Sequence, residues 1–456
     1  MDTIAAIATP PARSAVGIVR LSGPRSAEIL GAVFTPSSGA RTQDMQPRRM
    51  TYGTVHDAQG QVLDSALAVL FDEGRSYTGE QSAEIHCHGS PVVLGEVLRA
   101  AFAAGARQAA AGEFTQRAFL NGRLDLTQAE AVIDLIDAET VGAAKNAVSQ
   151  LGGSLRCRIE AVYDALIDVT SRFYAVVDYP DEDITEQSEG EICAALAAAA
   201  NAVDSLLSTF ARGRVLKSGV KTAIIGAPNA GKSSLLNALV GFDRAIVTDI
   251  AGTTRDTVEE RAVLGGTLVR LIDTAGIREG GDTVERLGIE RSRAAALDAD
   301  LLLVVADGSR PLTAEDEEAI ALARASGKPW LLLLSKADLG AVNTPALLDE
   351  GAQQKTLHIS SATLAGLDDL AAAVAEMFPS GMAQGETLVT NERQADALRR
   401  ALDALRSAEQ ALVGGITPDA ALTEVERAQE ALGELTGRTA REDMVARIFE
   451  RFCVGK

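Results

Sequence analysis

The stretch Gly226-Ala-Pro-Asn229-Ala230-Gly231-Lys232-Ser233 constrains this 456-residue chain more than any other. It fits G-x-x-x-x-G-K-[ST], and it lies between a short apolar run, Thr222 to Ile225, and a helical pattern that continues through Ser234. A strand feeding a glycine-rich turn and then a helix commits its surroundings to a parallel α/β sheet. The glycines allow backbone N–H groups to close around a β-phosphate, Lys232 can reach the β- and γ-oxygens, and the Ser233 hydroxyl can ligate Mg²⁺. The competing reading is a glycine-rich turn, which the motifs downstream argue against.

Those motifs follow in order. Asp273-Thr274-Ala275-Gly276 ends the apolar run Leu268 to Ile272, where a carboxylate completes the Mg²⁺ surroundings and the Gly276 N–H can sense a γ-phosphate. Between the two lies Thr248-Asp249-Ile250-Ala251-Gly252-Thr253-Thr254-Arg255, in which Thr254 is the candidate second Mg²⁺ ligand. Ser335-Lys336-Ala-Asp338 resembles the guanine-reading NKxD, with Ser where Asn is usual. The Asp338 carboxylate can accept hydrogen bonds from guanine N1–H and the 2-amino group; adenine offers no such pair, so GTP is favoured over ATP. Losing the Asn side chain is expected to cost about 1 kcal/mol of nucleotide binding. Ser361-Ala362 fits the last base-contacting loop. Directly after the DTAG motif stands Ile277, where many small GTPases carry a Gln that orients water. An aliphatic side chain cannot do this, so hydrolysis needs another group; Arg255, Arg278 and Glu285 are nearby, with surface pairing as their bland alternative.

The remaining chain divides by pattern. Residues 1–118 read as a small α/β domain, with strands at Ile4 to Ala8, Ala15 to Leu21, Met50 to Val55, Val62 to Phe71 and Ser82 to His88, and a helix at Pro91 to Ala104. Residues 119–216 turn helical. Thr127-Gln-Ala-Glu130 fits a capping box, and Ile159, Val162, Leu166, Val169, Phe173 and Val176 form one apolar stripe, read as core rather than as a cofactor box. Residues 217–379 carry the nucleotide motifs on strands separated by helices, and Gly265-Gly266 predicts a hairpin that makes one strand antiparallel. Residues 380–456 return to helix, with Leu398, Leu402, Leu405 and Leu412 on one face and Thr439-Ala-Arg-Glu442 as a cap for the last helix. The architecture predicted is multidomain, α/β plus all-α, with the nucleotide domain inserted in a helical one.

Charge and cysteines narrow the function classes. The net charge of −20 disfavours nonspecific, phosphate-driven nucleic-acid binding, so a local patch or a partner must supply positive field for any RNA substrate. Asp181-Glu182-Asp183 reads as a solvated loop. The four cysteines are scattered, which fits a reducing compartment, and the apolar runs are shorter than the ~20 residues of a bilayer span. With no secretory pattern at the amino end, a soluble cytoplasmic protein is expected. In His86-Cys87-His88, strand alternation places the two histidines on one face and the thiol on the other; a closed zinc site would need ligands not evident elsewhere.

Several strings outside the nucleotide motifs resemble the MnmE/TrmE family of tRNA-modification GTPases, within the TrmE-Era-EngA-YihA-Septin-like GTPases. They are Asp2-Thr-Ile, Ala8-Thr-Pro-Pro11, Val16-Gly-Ile-Val-Arg20-Leu-Ser-Gly23, Tyr77-Thr-Gly-Glu80, Gly112 to Asn121, Leu124 to Ala131 and the terminal Cys453-Val-Gly-Lys456. The resemblance implies an amino-terminal dimerisation domain, like folate-binding one-carbon folds, that holds a 5-formyl-tetrahydrofolate-type cofactor. The positions matching its folate contacts are Arg20, Glu80, Arg123 and Lys456, Arg123 standing where Lys is also found. It implies a homodimer that works with the flavoprotein MnmG (GidA) to add aminomethyl or carboxymethylaminomethyl groups at C5 of the wobble uridine of certain tRNAs. It also implies a Ras-like G domain in which K⁺ takes the place of an arginine finger. The matching K⁺ ligands are Asn229, Thr248, Ile250 and Thr253, and Glu285 positions water through another water. Cys453 would lie near the folate, open to nucleophilic, redox or packing roles. The alternative is a regulatory or ribosome-assembly GTPase switch; a scaffold with a dead pocket is a third reading.

Overall fold

Alternation of apolar and polar side chains shapes the amino-terminal sheet. In the computed structural model, which describes residues 2–178, 188–242, 260–272, 295–340, 354–381, 386–415, 418–439, 442–450, 452, 454 and 455, the order is β3-β4-β5-β6-β2-β1-β7. The strands are β1 (Ile4–Ile7), β2 (Ser14–Ser22), β3 (Phe34–Pro36), β4 (Thr51–His56), β5 (Val62–Phe71), β6 (Ser82–Gly89) and β7 (Arg107–Gln108). Val19, Leu21, Ala83, Ile85 and Cys87 face a core closed by helices α1 (Ser26–Val33) and α2 (Pro91–Ala103). On the opposite face, Ile4 and Ala6 pack with Ala109 and with Phe114 from helix α3 (Glu113–Leu120). Sequence reading placed five of these strands and α2. It passed over α1, β3, β7 and α3, whose two to eight residues are too short to show a period.

Two compact units account for the packing: Met1–Ile133 with Gln150–Ala195 and Ser407–Lys456, and Asp134–Ser149 with Leu196–Arg406. In the first, helix α4 (Leu126–Ile136) begins with a reciprocal cap two residues earlier than the sequence suggested. Asp125 Oδ1 accepts from the Gln128 N–H at 2.9 Å, and Gln128 Oε1 accepts from the Asp125 N–H at 3.1 Å. Thr127, read as the cap, sits inside the helix and donates to Asp125 Oδ1 at 2.6 Å. Helix α5 (Val141–Leu151) follows. The long helix α6 (Ser154–Asp178) buries Ile159, Val162, Leu166 and Val169 as its stripe predicts. Thr439, the other expected cap, donates its hydroxyl to the Glu430 carbonyl at 2.9 Å, and the entry to the last helix lies outside the described residues.

Helices α7 (Glu189–Ser208) and α8 (Phe210–Ser218) form the one described run that is long and apolar enough to cross a membrane. Its apolarity comes largely from alanine. Ile192, Leu196, Ala199, Val203 and Leu206 are buried in a stripe while Asn201, Asp204 and Ser205 are exposed, the pattern of a helix packed on one face.

The second unit holds the six-stranded sheet β13-β12-β11-β8-β10-β9. Its strands are β8 (Val220–Ile225), β9 (Glu260–Leu264), β10 (Thr267–Ile272), β11 (Leu301–Asp307), β12 (Trp330–Ser335) and β13 (Gln354–His358). All pairs are parallel except β9–β10, the hairpin turned by Gly265 and Gly266, both at positive φ. The inner strands β11 and β12 are buried along their whole length because both faces are covered. Leu301, Leu303, Val305, Leu331 and Leu333 face a core shared with helices α9 (Lys232–Phe242) and α11 (Leu367–Met377); Leu302, Val304, Ala306, Trp330 and Leu332 face one shared with helix α10 (Ala314–Ala325). Helix α12 (Glu392–Val413) buries Leu398, Leu402, Leu405 and Leu412 on one face. Helices α13 (Pro418–Thr436) and α14 (Glu442–Phe449) lie in the first unit.

Candidate functional site

The central strand β8 delivers the phosphate loop at its carboxyl end, where parallel α/β sheets bind ligands. Gly226, at φ +148°, lies so close to β11 that an added Cβ would stand 2.1 Å from the Val305 carbonyl oxygen. Asn229 adopts the left-handed conformation at φ 60°, with its side chain exposed. Gly231 passes beside Ser335, whose Oγ would lie 3.3 Å from an added Cβ. Lys232 Nζ donates to the carbonyls of Gly226 and Ala227 at 2.8 and 2.7 Å. Burial pushes this ammonium below its ordinary range, opposed by the Asp316 carboxylate. A half-buried cation whose hydrogen bonds among the described residues go to neutral carbonyls can exchange them for phosphate oxygens. Ser233 and Ser234 stand exposed on the first turn of α9, where a helix amino terminus favours anions.

The base-reading loop is tied to the phosphate loop. Ser335, 3% exposed, donates its hydroxyl to the Ala230 carbonyl at 2.5 Å. Next to it, Lys336 is left-handed at φ 59° and donates to Asp307 Oδ2 at 2.6 Å. Asp338 is exposed, and its Oδ1 accepts from the Ser360 hydroxyl at 2.6 Å. Ser360 is buried and also receives the Thr363 N–H at 3.2 Å. Sequence reading named Ser361 and Ala362 for this loop; both lie beside Ser360 on the outside, and the buried serine one position earlier makes the contact with Asp338. Ser360 and Asp307 were missed because neither belongs to a spaced motif.

Thus Asn229, Ala230, Gly231, Lys232, Ser335, Lys336, Asp338 and the Ser360–Ala362 turn meet at the carboxyl end of one sheet. Thr248, Asp249, Ile250, Ala251, Gly252, Thr253, Thr254, Arg255, Asp273, Thr274, Ala275, Gly276, Ile277, Arg278 and Glu285 lie outside the described residues.

A second polar cluster sits on the amino-terminal sheet. Arg20 pairs with Glu84 at 2.9 Å, directly across β2 and β6, and its guanidinium lies 5.8 Å from the Tyr77 ring and 5.7 Å from the Phe114 ring. Burial opposes the charge on Glu84, but His86 and Arg20 outweigh it and hold its carboxyl below the usual range. Glu80 accepts from Ser22 Oγ at 2.7 Å and from Arg117 at 3.0 Å. Arg117, 6% exposed, also bonds Asp2 and Glu113, so three carboxylates surround one buried cation. Arg123 is exposed beside Gly79, where its Cγ would lie 3.1 Å from an added Cβ. The terminal segment reaches this sheet: Val454 bridges Ala111, and Gly455, at φ +102°, comes within 2.3 Å of the Ile7 oxygen when a Cβ is added. Cys453 and Lys456 themselves, and the acidic run Asp181 to Asp183, lie outside the described residues. Cys87 points into the core, where burial pushes its thiol up to about 12, while His86 and His88 pair with Glu84 and Asp64 on the outer face.

Two family models match the chain: the MnmE helical domain over residues 126–453, and the GTP-binding protein TrmE N-terminus over residues 3–123. Among curated relatives, a tRNA modification GTPase MnmE of Roseiflexus sp. (strain RS-1) is 45% identical, covering 100% of this chain and 99% of its own. Proteins of the same name from Heliobacterium modesticaldum and Lactobacillus delbrueckii subsp. bulgaricus are 43% and 41% identical, each again over 100% of this chain. Likeness of this degree along the entire length places the amino-terminal sheet, the helices and the nucleotide segment in one family, and the chain belongs to the MnmE family of tRNA modification GTPases.

Proposed function

We propose that this chain hydrolyses GTP in the course of tRNA modification, at C5 of the wobble uridine and together with a flavin-dependent partner of the MnmG (GidA) type. The observation that carries the GTP half is the union of two loops: Ser335 ties the base-reading loop to the phosphate loop, and Ser360 aims Asp338. A nucleotide seated on Lys232 therefore presents its base to a carboxylate already oriented for guanine N1–H and the 2-amino group. The tRNA half is supported by the family and by the names of relatives that match from end to end.

The finer parts of the proposal have different support. The Ser233 hydroxyl, exposed beside Lys232 on the first helical turn, fits an Mg²⁺ ligand, with Thr254 as its partner. Asn229, left-handed and exposed, fits a K⁺ ligand, with Thr248, Ile250 and Thr253 supplying the rest. Such an ion would supply positive charge between the β- and γ-phosphates. Glu285 is the proposed water-positioning carboxylate and Arg255 a further candidate. For a reduced folate, Arg20 over two aromatic rings and Arg123 supply a cationic and aromatic surface, Glu80 supplies a hydrogen-bond acceptor, and the packing of Gly455 on β1 supports a contribution from Lys456 and Cys453. Homodimerisation through the amino-terminal domain, a cytoplasmic location and the domain limits 1–118, 119–216, 217–379 and 380–456 belong to the same reading. The helical family match, which encloses the nucleotide segment, supports those limits.

Phosphate release by the full chain in KCl and in NaCl tests the enzyme. Stimulation by K⁺, lost in Asn229→Ala, is expected; equal, negligible rates in both salts would leave a scaffold. Mass spectrometry of the wobble uridine in tRNA from cells lacking the protein, with rescue by wild type but not by Asp338→Asn, tests the substrate. Unmodified uridine should accumulate; an unchanged tRNA profile would move the assignment to a regulatory or ribosome-assembly switch, as would absence of tetrahydrofolate binding by the full-length protein.

A further inference from the structure

The loop between Ser335 and Asp338 holds an unfavourable backbone. Lys336 sits at φ 59°, ψ 35°, a left-handed conformation that a side chain with a Cβ occupies only where its surroundings enforce it. Two contacts flank it. On one side Ser335 is bonded to Ala230. On the other, the ammonium of Lys336 is bonded to Asp307.

Asp307 is built for that task. It ends β11 in register with Ser335, and the Gly308 N–H donates to the Ser335 carbonyl at 2.9 Å, so the two strand ends are joined at the point where Lys336 begins. Its residue is 6% exposed. Oδ1 accepts from the Ser309 N–H at 3.0 Å and from the Ser309 hydroxyl at 2.6 Å, which leaves Oδ2 to face Lys336. Arg310 stands 3.7 Å from the same oxygen and is itself held by Asp316 at 3.1 Å. A carboxylate with one oxygen fixed by the chain and the other 2.6 Å from the Lys336 ammonium, much nearer than the Arg310 guanidinium at 3.7 Å, locates that lysine rather than merely neutralising it.

We propose that Asp307 is a positioning residue for nucleotide binding: through Lys336 it fixes the left-handed turn that places Ser335 against the phosphate loop and Asp338 against the base. The proposal rests on the guanine-nucleotide reading above. Without the Asp307 charge the turn keeps Ser335 on Ala230, the Ala337 N–H on the Ile359 carbonyl and Asp338 on Ser360, but the left-handed Lys336 between them loses the contact that holds its side chain. Nucleotide then leaves faster, GDP and GTP alike, because the Lys336 end of the loop, which both nucleotides share, is no longer fixed. Base choice is untouched, because Asp338 keeps its Ser360 partner.

The test is stopped-flow release of fluorescent GDP and GTP analogues from the full-length protein as wild type, Asp307→Asn, Lys336→Met and the double variant. Each single change is expected to speed release roughly tenfold for both nucleotides, and the double variant to be no faster than the faster single. Preference for GDP over inosine diphosphate stays at the wild-type ratio. Release within twofold of wild type in Asp307→Asn, or effects that multiply in the double variant, overturns the proposal. If Asp307→Asn folds poorly, Asp307→Glu, which keeps the charge, replaces it in the cycle and should release nucleotide more slowly than Lys336→Met. Wild-type protein that fails to bind the GDP analogue sinks the guanine reading itself; tight wild-type binding with multiplicative effects sinks only the role of Asp307.

Discussion

At the scale of single residues, the serine in the guanine motif is the most informative departure. From sequence, losing the asparagine amide predicts weaker nucleotide binding. The structure shows what the serine retains: a hydroxyl bonded to the Ala230 carbonyl, in a space where Gly231 approaches closely. Ser335→Ala removes that tie and leaves the carbonyl without its partner. It should weaken GDP and GTP binding by about 1 kcal/mol, roughly fivefold, with no change in base preference, as read by equilibrium titration. Asp338→Asn should do the reverse. Its amide turns an acceptor toward the base into a donor, so affinity for guanine nucleotides falls, and xanthine, which carries a carbonyl at C2, becomes the better ligand. Spacing made Lys232, Ser335 and Asp338 legible. Ser360 and Asp307 were not, because their roles depend on which strand ends adjoin, and strand order is a property of the folded sheet.

Among elements, the strands were more legible than the short helices. Five of the six strands of the nucleotide sheet were visible as short apolar runs; the edge strand β9, which begins Glu260-Arg261, was signalled only by the Gly265-Gly266 turn beside it. Helix starts were less so. Thr127-Gln-Ala-Glu130 and Asp125-Leu-Thr-Gln128 are both capping-box patterns two residues apart. Asp125 takes the cap, which lets Leu126 and Ala129 turn into the core with Phe449 and Phe452. Asp125→Ala should therefore cost more than Thr127→Ala. The lost cap is worth about 1 kcal/mol, and Gln128 loses a reciprocal partner. Urea unfolding of the two variants checks the order; equal midpoints would mean that the cap is dispensable once α4 is packed.

For the whole molecule, the acidic balance sets the behaviour in acid. With 63 Asp and Glu against 43 Lys and Arg, carboxylates outnumber cations by 20, and a cation that lies deep can become a shared centre. Arg117 is the clearest: 6% exposed and bonded to Asp2, Glu80 and Glu113, it draws the amino terminus, the Tyr77–Glu80 loop and α3 onto one charge. Burial works against ionisation of Glu113, but Arg107, the Ala110 N–H and Arg117 outweigh it and bring its carboxyl down to about 2 from an ordinary 4.5. Asp2 is held low by Arg107 and Arg117. A carboxyl with its folded value depressed stabilises the fold at every pH above its unfolded value and loses that contribution as pH falls through the folded one. The loss therefore begins below about 4.5 and is complete near 2. The depressed Glu113 carboxyl therefore stabilises the fold at neutral pH. Glu113→Gln removes this contribution and leaves Arg117 short of a partner, so it should lower the urea midpoint clearly at pH 7. At pH 2 the wild-type carboxyl is about half protonated and little of its contribution remains, so the two proteins should unfold nearly together. A difference that persists undiminished in acid would mean that Glu113 acts through packing, and that the charge on Arg117 is met without it.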